Sequence, residues 1–339
     1  METIDWGNLG FGYTKTDFNI RCVFRDGKWQ EPYMTDDETL NLHMAATCLH
    51  YGQEAFEGLK AFRGKDGFIR LFRGEDNARR MQSSAEYLKM AVPPVELFME
   101  MTRKVVAANE RFVPPYGTGA SLYIRPLIIG SSAQIGVKPA EETMLIIFVM
   151  PVGPYFKEGF NPIRTMIDRH HDRAAARGTG HVKSGGNYGA SIFSLDNAHK
   201  AGYPNVLFLD PKEHKYVDEF GAANFFGIKD KKYITPDSHS VLPSITNMSL
   251  RTLAEDLGLT VENRKIEVEE LATLEEAGAV GTAAVISPIG SVYDPDNNIN
   301  YIFGDGKTAG EWSKMLYQTL QGIQYGEIED THNWCEILK

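Results

Sequence analysis

Five glycines surround one lysine near the middle of this chain, and this segment constrains the fold more than any other. Residues 178–189 read GTGHVKSGGNYG and contain Lys183. Glycine adopts backbone conformations closed to other residues and lets a backbone approach a ligand closely. A lone lysine is ordinarily a solvated surface charge, but this setting is not typical of a helix surface. The segment therefore predicts a special site built around Lys183.

The size and charge of the chain limit the classes of protein to consider. A length of 339 residues favours two domains. Hydrophobic residues make up 42% and charged residues 24%, as in ordinary globular proteins. The formal net charge of −10 argues against binding to nucleic acid or to an anionic membrane. The longest dense apolar run, 144–150, is too short to span a bilayer and is typical of a buried strand.

Cysteine usage and the first residues favour the cytoplasm. Cys22, Cys48 and Cys335 are far apart and odd in number, which favours free thiols in a reducing compartment over disulfides or a zinc site. The N-terminal residues lack the basic and apolar regions of a signal peptide. We expect no metal site, because there is no HExxH motif and the adjacent His170 and His171 would point apart on a helix.

The first half predicts a compact α+β domain. Alternating apolar and polar residues flank Asp26-Gly27 and Asp66-Gly67, which indicates two β-hairpins. After these hairpins we expect helices at 75–91 and 95–112 and strands at 120–129 and 143–150. A stretch at 151–162, which is rich in glycine and proline, follows them. The 151–162 stretch is the best candidate for a connection between domains.

The second half predicts a larger domain of strands and helices. Residues 205–220 favour another hairpin, and helical spacing is found at 188–200, 243–257, 268–276 and 309–325. Residues 278–292 favour a loop followed by a strand. We therefore divide the chain into a small α+β domain at 1–154, an interdomain loop at 155–170 and a large domain at 171–339.

The chemistry that best suits Lys183 is a Schiff base with a carbonyl cofactor, and we hypothesise pyridoxal 5′-phosphate (PLP). Such a lysine must lose its proton, so burial or positive neighbours must lower its pKa. PLP also needs an acidic partner for its pyridine nitrogen, a phosphate cup and apolar walls. Glu219, at the end of the strand-like KYVDEF, is the candidate acid. On local sequence alone, however, a surface carboxylate is the more typical interpretation of Glu219.

Candidate phosphate ligands come from three places. The start of the helix at 243–257 offers the backbone N–H groups of Ile245 and Thr246 and the positive end of the helix dipole. Thr282, after Gly281, offers a hydroxyl and further backbone donors. Arg80 offers a cation, although alone it is typical of a helix-surface arginine. None of these signals is specific by itself.

Together these pieces resemble the branched-chain-amino-acid aminotransferases, PLP enzymes of fold type IV. The resemblance extends over most of the chain, with fitting spacing between the motifs. The motifs that carry it are HYGQEAFEGLKAF (50–62), RLFR with NARRM (70–81), LYIRPLIIG (122–130), VKSGGNYG (182–189), DEFGAANFF (218–226), LPSIT (242–246) and GTAA (281–284).

The resemblance implies a role for each matching residue. Lys183 corresponds to the cofactor-linked lysine and general base, Glu219 to the partner of the pyridine nitrogen and Tyr188 to the tyrosine at the cofactor's phenolic oxygen. The phosphate cup corresponds to Arg80, Ile245, Thr246 and Thr282. Lys60 matches a lysine near the domain junction. The residues that the resemblance assigns to the substrate are Phe11, Tyr51, Phe56, Tyr123, Arg125, Tyr155 and Ala283, with Arg125 also accepting the side-chain carboxylate of glutamate.

Two departures from the family pattern bear on function. Some relatives carry a CxxC pair after the GT motif, but those positions are Ala284 and Ser287 here, so we expect no thiol switch. Some relatives have a threonine that touches the substrate carboxylate where this chain has Ala222. The details of carboxylate binding are therefore open.

The resemblance implies transamination of L-leucine, L-isoleucine and L-valine with 2-oxoglutarate, as in branched-chain amino-acid biosynthesis. Within the same fold, the alternatives are a D-amino-acid transaminase and an aminodeoxychorismate lyase, and a non-catalytic PLP-binding protein is a remote one. The family fold also implies a homodimer, with Tyr51 near the partner's site. The sequence leaves open a biosynthetic or degradative role, the ranking of substrates and any assembly beyond a dimer.

Overall fold

The structure, a computed structural model, describes residues 4–153 and 160–338. Within those ranges no helix is both long and apolar enough to cross a membrane. The helices are α1 (Thr47–Tyr51), α2 (Gly74–Tyr87), α3 (Val95–Ala108), α4 (Gly185–Lys200), α5 (Ile245–Asp256) and α6 (Glu311–Gln324), with 3₁₀ turns at Glu110–Phe112 and Val268–Thr273.

The strands of the described residues follow the chain in this order: β1 (Asn19–Arg25), β2 (Lys28–Trp29), β3 (Tyr33–Thr35), β4 (Glu54–Phe56), β5 (Leu59–Arg63), β6 (Ile69–Phe72), β7 (Ser121–Gly130), β8 (Thr143–Val152), β9 (Ile163–Asp168), β10 (Val206–Leu209), β11 (Val217–Phe220), β12 (Ala223–Lys229), β13 (Lys232–Pro236), β14 (Thr260–Arg264), β15 (Glu276–Gly281), β16 (Val285–Asp294), β17 (Ile299–Ile302) and β18 (Cys335–Leu338).

The chain divides into two compact units that are not continuous in sequence. The first unit contains Met1–Tyr155, Val182–Gly185 and Gly322–Lys339, and the second contains Phe156–His181 and Gly186–Gln321. The short segment that carries Lys183 thus belongs to the first unit, although the residues on both sides of it belong to the second. The predicted boundaries instead assign every residue after 170 to one domain.

The first unit is built on a nine-stranded sheet. Its strand order is β18-β6-β5-β7-β8-β1-β2, with β3 beside β1 and β4 beside β7. Helices α2 and α3 contribute apolar side chains to its core, where Met81, Phe98 and Met101 are fully buried against Leu71 and Leu122. Burial of such side chains supplies the main favourable free energy of folding.

Both predicted hairpins of the first unit are confirmed. Arg25 pairs with Lys28 across Asp26 and Gly27, whose φ angles of 53° and 75° fit a turn that requires two left-handed residues. In the second hairpin, Arg63 pairs with Ile69 around a longer loop that includes the predicted Asp66-Gly67. Local turn chemistry therefore determines these two elements.

The second unit contains a closed ring of strands. Going round the ring, β11, β10, β9, β16, β15 and β12 each pair with the next, and β12 pairs back with β11. Strands β13, β14 and β17 extend this sheet. The buried Leu207, Phe220, Phe225 and Ile289 belong to its core. This barrel and the α+β sheet of the first unit confirm the predicted fold class.

Four predicted helices differ from the structure, and one of them is α3, which ends at Ala108 and not at 112. Helix α2 ends at Tyr87, not at 91, because Lys89 takes a left-handed φ of 54° and the Met90 N–H bonds back to Ala85. Helix α4 begins at Gly185, three positions earlier than expected. The helix expected at 268–276 is wrong: a 3₁₀ turn there leads into β15, which pairs with both β12 and β16.

Candidate active site

The backbone of the lysine segment is held on both sides of Lys183. The Lys183 carbonyl accepts a 3.0 Å hydrogen bond from the Phe56 N–H, and the Lys183 N–H donates 3.2 Å to the Ser84 hydroxyl. The Gly185 N–H donates to the Glu54 carboxylate. These contacts come from β4 and α2, so the first unit fixes the residues on either side of the amine.

The Lys183 amine lies among aromatic and charged side chains. Its Nζ is 4.8 Å from the centroid of the Phe56 ring. Burial and then the positive charge of Arg80 lower the pKa of Lys183 to about 8, against the opposing effect of Glu57. A lysine with this pKa has a far larger neutral fraction near physiological pH than an ordinary lysine, and a nucleophilic or basic amine must be neutral.

Arg80 lies on α2 and pairs with a fully buried acid. Its Nε and Nη2 donate to the two oxygens of Glu57 at 2.7 and 2.8 Å. Asn77, one turn earlier on α2, donates 2.7 Å to the same carboxylate. A two-bond arginine–carboxylate pair fixes the plane of the guanidinium, so Glu57 and Asn77 set the orientation of Arg80.

Strand β7 places Tyr123 and Arg125 on the same face because they are two residues apart. The Arg125 Nη2 donates 3.1 Å to the Tyr123 hydroxyl, and its Cζ lies 4.7 Å from the centroid of the Phe56 ring. The Arg125 Nε is buried and makes no hydrogen bond within the described part of the chain. The arginine thus keeps donor capacity beside an aromatic wall, as recognition of a carboxylate requires.

Two further groups stand beside Tyr123. The Phe11 ring meets the Tyr123 ring edge-on, with centroids 5.9 Å apart. Lys60 is the cross-strand partner of Tyr123, and its Nζ lies 6.0 Å from the Phe11 centroid. Burial lowers the pKa of Lys60 to about 8. The first unit therefore gathers two low-pKa amines, an arginine and three aromatic rings.

In the second unit, a group of polar contacts surrounds Glu219. It lies in β11 with 3% of its surface exposed. Its carboxylate accepts from the Leu242 N–H at 3.0 Å and from the Asn224 amide at 2.8 Å, and Arg173 lies 2.6 Å away. Burial raises the pKa of Glu219, while Arg173 and the two hydrogen bonds oppose that rise.

The predicted phosphate ligands of the second unit lie at the start of a helix and in a turn between two strands. Helix α5 begins at Ile245 and Thr246, and Ser244 caps it by accepting from the Asn247 N–H at 3.2 Å. The first N–H groups of a helix lack acceptors within it and suit an anion. Thr282 lies in the turn between β15 and β16.

That turn carries unusual backbone geometry. After Thr282 and Ala283, Val285 has a φ of 64°, which is rare for a β-branched residue. A Cβ built on Gly281 would stand 3.6 Å from the Ala222 carbonyl oxygen, so the turn lies beside the loop that follows Glu219. Strained backbone of this kind is often concentrated at functional sites.

Helix α4 also approaches the loop that follows Glu219. Asn187 closes the lysine loop by accepting from the Thr179 hydroxyl and donating to the Thr179 carbonyl, both at 2.7 Å. Tyr188 is in the first turn of α4. Ser191, one turn further, lies 3.8 Å from a Cβ built on Gly221. Helix α4 therefore approaches the loop after Glu219 one turn beyond Tyr188.

Two predicted residues lie outside these groups. Tyr51 ends α1, is 38% exposed and donates its hydroxyl to the Ile135 carbonyl, so these contacts do not bring it to Lys183. Tyr155 lies outside the described residues.

Several site residues escape sequence reasoning. These residues act through contacts with other side chains and backbone groups: Glu57, Ser84, Arg173, Asn187 and Asn224. Glu57, Asn187 and Asn224 stand in the motifs HYGQEAFEGLKAF, VKSGGNYG and DEFGAANFF, which were the available signal for these three.

Known proteins resemble this chain in sequence and in fold. The family Amino-transferase class IV matches residues 54–292. A branched-chain-amino-acid aminotransferase of Haemophilus influenzae is 47% identical, covering 98% of each chain. The structure of that enzyme from Escherichia coli is 30% identical with a TM-score of 0.81, covering 96% of this chain and 100% of the other. The enzyme from Thermobaculum terrenum, solved in its PLP form, shares the fold at 24% identity with a TM-score of 0.80, covering 96% and 99%.

The fold is that of a class IV aminotransferase. Within that class, the chain belongs to the branched-chain-amino-acid aminotransferase family.

Proposed function

We propose that the protein transfers the amino group of L-leucine, L-isoleucine or L-valine to 2-oxoglutarate, giving branched-chain 2-oxo acids and L-glutamate. Near-complete alignment at 47% identity with a named enzyme of this activity supports the reaction. The structural observation that carries the proposal is the Lys183 amine, whose pKa of about 8 reflects burial beside Arg80.

The residues present fit PLP as the cofactor. Lys183 supplies an amine of lowered pKa, Glu219 a buried carboxylate for the pyridine nitrogen and Tyr188 a hydroxyl for the phenolic oxygen. The phosphate would be held by Arg80, Thr282 and the start of α5 at Ile245 and Thr246. When bound, PLP supplies an aldehyde carbon that takes up the amino group and a ring that withdraws electrons from the substrate α-carbon.

The catalytic task of the chain's own residues is to hold and move protons. In its neutral form, the Lys183 Nζ removes the α-proton of the amino acid and later returns a proton as general acid. An ionised Glu219 keeps positive charge at the pyridine nitrogen. The hydrogen bonds from Leu242 and Asn224 hold its carboxylate in place, so it needs no reorganisation during reaction.

The substrate pocket must accept an aliphatic chain and a second carboxylate in turn. Phe11, Phe56 and Tyr123 supply apolar walls for leucine, isoleucine and valine. Arg125, whose Nη2 donates to the Tyr123 hydroxyl, binds the side-chain carboxylate of glutamate or 2-oxoglutarate. Ala283 contributes its backbone N–H to the α-carboxylate, and Tyr51 and Tyr155 complete the walls.

The working form is a homodimer in the cytoplasm. Exposed apolar side chains of the first unit support self-association: Met44, Leu49, Tyr51, Ile135 and Val137. The Tyr51–Ile135 hydrogen bond joins two of the segments that carry them. The cysteines Cys22, Cys48 and Cys335 are all free, which suits a reducing compartment.

Spectral titration of the purified, PLP-loaded protein tests the proposal. We expect L-leucine, L-isoleucine, L-valine and L-glutamate to change the cofactor absorbance and D-alanine to leave it unchanged. Lys183→Ala should lower the leucine transamination rate by about 10²–10⁴-fold or more, the range for loss of a general base. Lys200→Ala is the matched control, because Lys200 is exposed on α4 and pairs with Asp196.

Other outcomes identify the alternatives. A response to D-alanine but not to L-leucine indicates a D-amino-acid transaminase, and pyruvate release from aminodeoxychorismate indicates a lyase. Bound PLP that no amine changes indicates a non-catalytic carrier. Wild-type turnover by Lys183→Ala would overturn the assignment of Lys183.

A further inference from the structure

Arg173 is a buried cation that the roles above do not use. Only 7% of its surface is exposed. Its Nη2 lies 2.6 Å from the Glu219 Oε1, and the same nitrogen donates to the carbonyl oxygens of Gly180, at 2.8 Å, and Ser240. All four residues belong to the second unit. One guanidinium therefore contacts three segments that are distant in sequence.

Each of these segments carries part of the proposed cofactor site. Glu219 is the partner of the pyridine nitrogen. Gly180 lies in the glycine-rich segment that leads to Lys183. Ser240 precedes Leu242, whose N–H also donates to the Glu219 Oε1, and the chain then enters α5 with its phosphate ligands.

The backbone has no room for adjustment where two of these segments meet. A Cβ at Gly180 would overlap the Ser240 carbonyl oxygen and lie 2.5 Å from the Ser240 Cα. Real Cβ contacts are not that short, so only glycine allows this approach. The two carbonyl oxygens that accept from Arg173 are thereby held side by side.

Charge gives Arg173 a second effect. Glu219 is buried, and burial favours its neutral form. Two charged side chains act on it: Arg173 favours the anion, and Asp218, its neighbour in β11, opposes it. The hydrogen bonds from Leu242 and Asn224 favour the anion but carry no charge. Arg173 is thus the cation that offsets the burial of Glu219.

We propose that Arg173 is a positioning residue of this enzyme: it holds Glu219 aligned as an anion and clamps the Gly180 and Ser240 backbones beside it. The proposal rests on the proposed role of Glu219 at the pyridine nitrogen. One side chain then fixes the acid, the start of the lysine segment and the approach to α5. A neutral Glu219 could not retain positive charge on that nitrogen.

Three variants of the PLP-loaded protein test this proposal: Arg173→Gln, Arg173→Lys and the exposed control Arg177→Gln. An opposite charge at this distance lowers a carboxyl pKa by about 1–3 units. In Arg173→Gln we therefore expect the acid limb of the kcat profile to move up by about 1–3 pH units, so that kcat measured on that limb falls about tenfold for each unit of the shift. The KM for leucine should change little, and Arg177→Gln should match wild type.

Arg173→Lys separates charge from geometry. It keeps the cation but not the planar fork of donors. We expect an acid limb close to that of wild type and PLP binding weakened several-fold, measured by fluorescence on the apoprotein. If Arg173→Gln does not fold, unchanged PLP affinity and kcat in Arg173→Lys would overturn the proposal.

A double-mutant cycle tests whether Arg173 acts through Glu219. Residues that act as a unit give non-additive effects, so Arg173→Gln should cost little further activity in a Glu219→Gln protein. Additive losses, or an Arg173→Gln protein that is less stable but keeps the wild-type pH profile, would show a merely structural role. Leucine transamination by the wild type is measured alongside, so failure of this proposal is distinct from failure of the proposed reaction.

Discussion

The low pKa of Lys183 comes first from burial and then from the charges around the amine. Burial and Arg80 lower its pKa to about 8, and Glu57 works in the opposite direction. The Arg80–Glu57 pair therefore matters twice, since Glu57 orients Arg80 and also moderates its effect on the amine.

The first prediction concerns the pH at which the apoprotein captures PLP. Only the neutral amine reacts, so the capture rate should rise with pH through a midpoint near 8 instead of near the ordinary 10.5. Arg80→Gln removes the positive neighbour and leaves Glu57 to favour the charged amine, so the midpoint should move to higher pH. Stopped-flow absorbance over a pH series measures both.

Arg79→Gln is the matched control for this experiment. Arg79 is the neighbour of Arg80 on α2 but is 63% exposed at its side chain and pairs with Glu75. The midpoint of PLP capture in Arg79→Gln should equal that of the wild type. If Arg80→Gln does not shift the midpoint, the electrostatic explanation is wrong.

Sequence points to candidate site residues most directly where a motif carries them. Lys183, Tyr123 and Arg125 stand in short, distinctive segments, and the structure places Lys183 and Arg125 beside the Phe56 ring. The roles that the family resemblance gives these residues stay predictions. Glu57 and Arg173 could not be assigned roles in this way. Their roles depend on partners contributed by other elements, and a single buried charge has no periodic signature.

At the level of elements, the glycines around Lys183 serve different purposes. Gly180 allows a close backbone approach to Ser240, whereas Gly189 lies within α4 with nothing within 4 Å of a Cβ built on it. Counting glycines in the sequence does not distinguish these two positions.

The second prediction uses that difference. Gly180→Ala should lower the free energy of unfolding by about 1–3 kcal/mol, because rigid backbone must move to admit the methyl group. Gly189→Ala should raise it by about 0.5–1 kcal/mol, because alanine restricts the unfolded chain and favours helix. Urea denaturation followed by circular dichroism measures both. Shifts of the same sign would show that Gly180 is not needed for close approach.

Element boundaries show why part of the fold was not predictable. The hairpin at Asp26-Gly27 was predictable, because its turn residues determine it locally. The end of α2 was not predictable, because a left-handed Lys89 stops the helix before Pro93 and nothing in the local sequence signals this conformation. Strand β15 was missed because a short apolar run fits helix or strand, and only pairing with β12 and β16 decides.

At the level of the whole molecule, the main support for the proposed homodimer is the exposed apolar side chains of the first unit. Val137 is 84% exposed, Met44 80% and Ile135 72%. Scattered exposed apolar residues are normal, but contiguous patches mark interaction sites.

The third prediction is that Val137→Glu breaks the proposed homodimer. A charge buried at an interface without a partner costs several kcal/mol, so the dissociation constant should rise by about 10²-fold or more. Analytical ultracentrifugation over a concentration series measures it. Phe68→Glu is the control, because Phe68 is 54% exposed in the loop between β5 and β6. Equal dimerisation of both variants would place the interface elsewhere.

The closed barrel of the second unit also has a consequence for the order of assembly. Strand β9 precedes the lysine segment, yet its neighbour β16 comes much later, with Thr165 and Ser291 in contact across 126 positions. Pairing over such separations is slow because a long loop must close first. The ring cannot close until the ribosome has released β16, which ends at Asp294. The Lys183 segment therefore leaves the ribosome long before the ring, whose last strand is β16, can close.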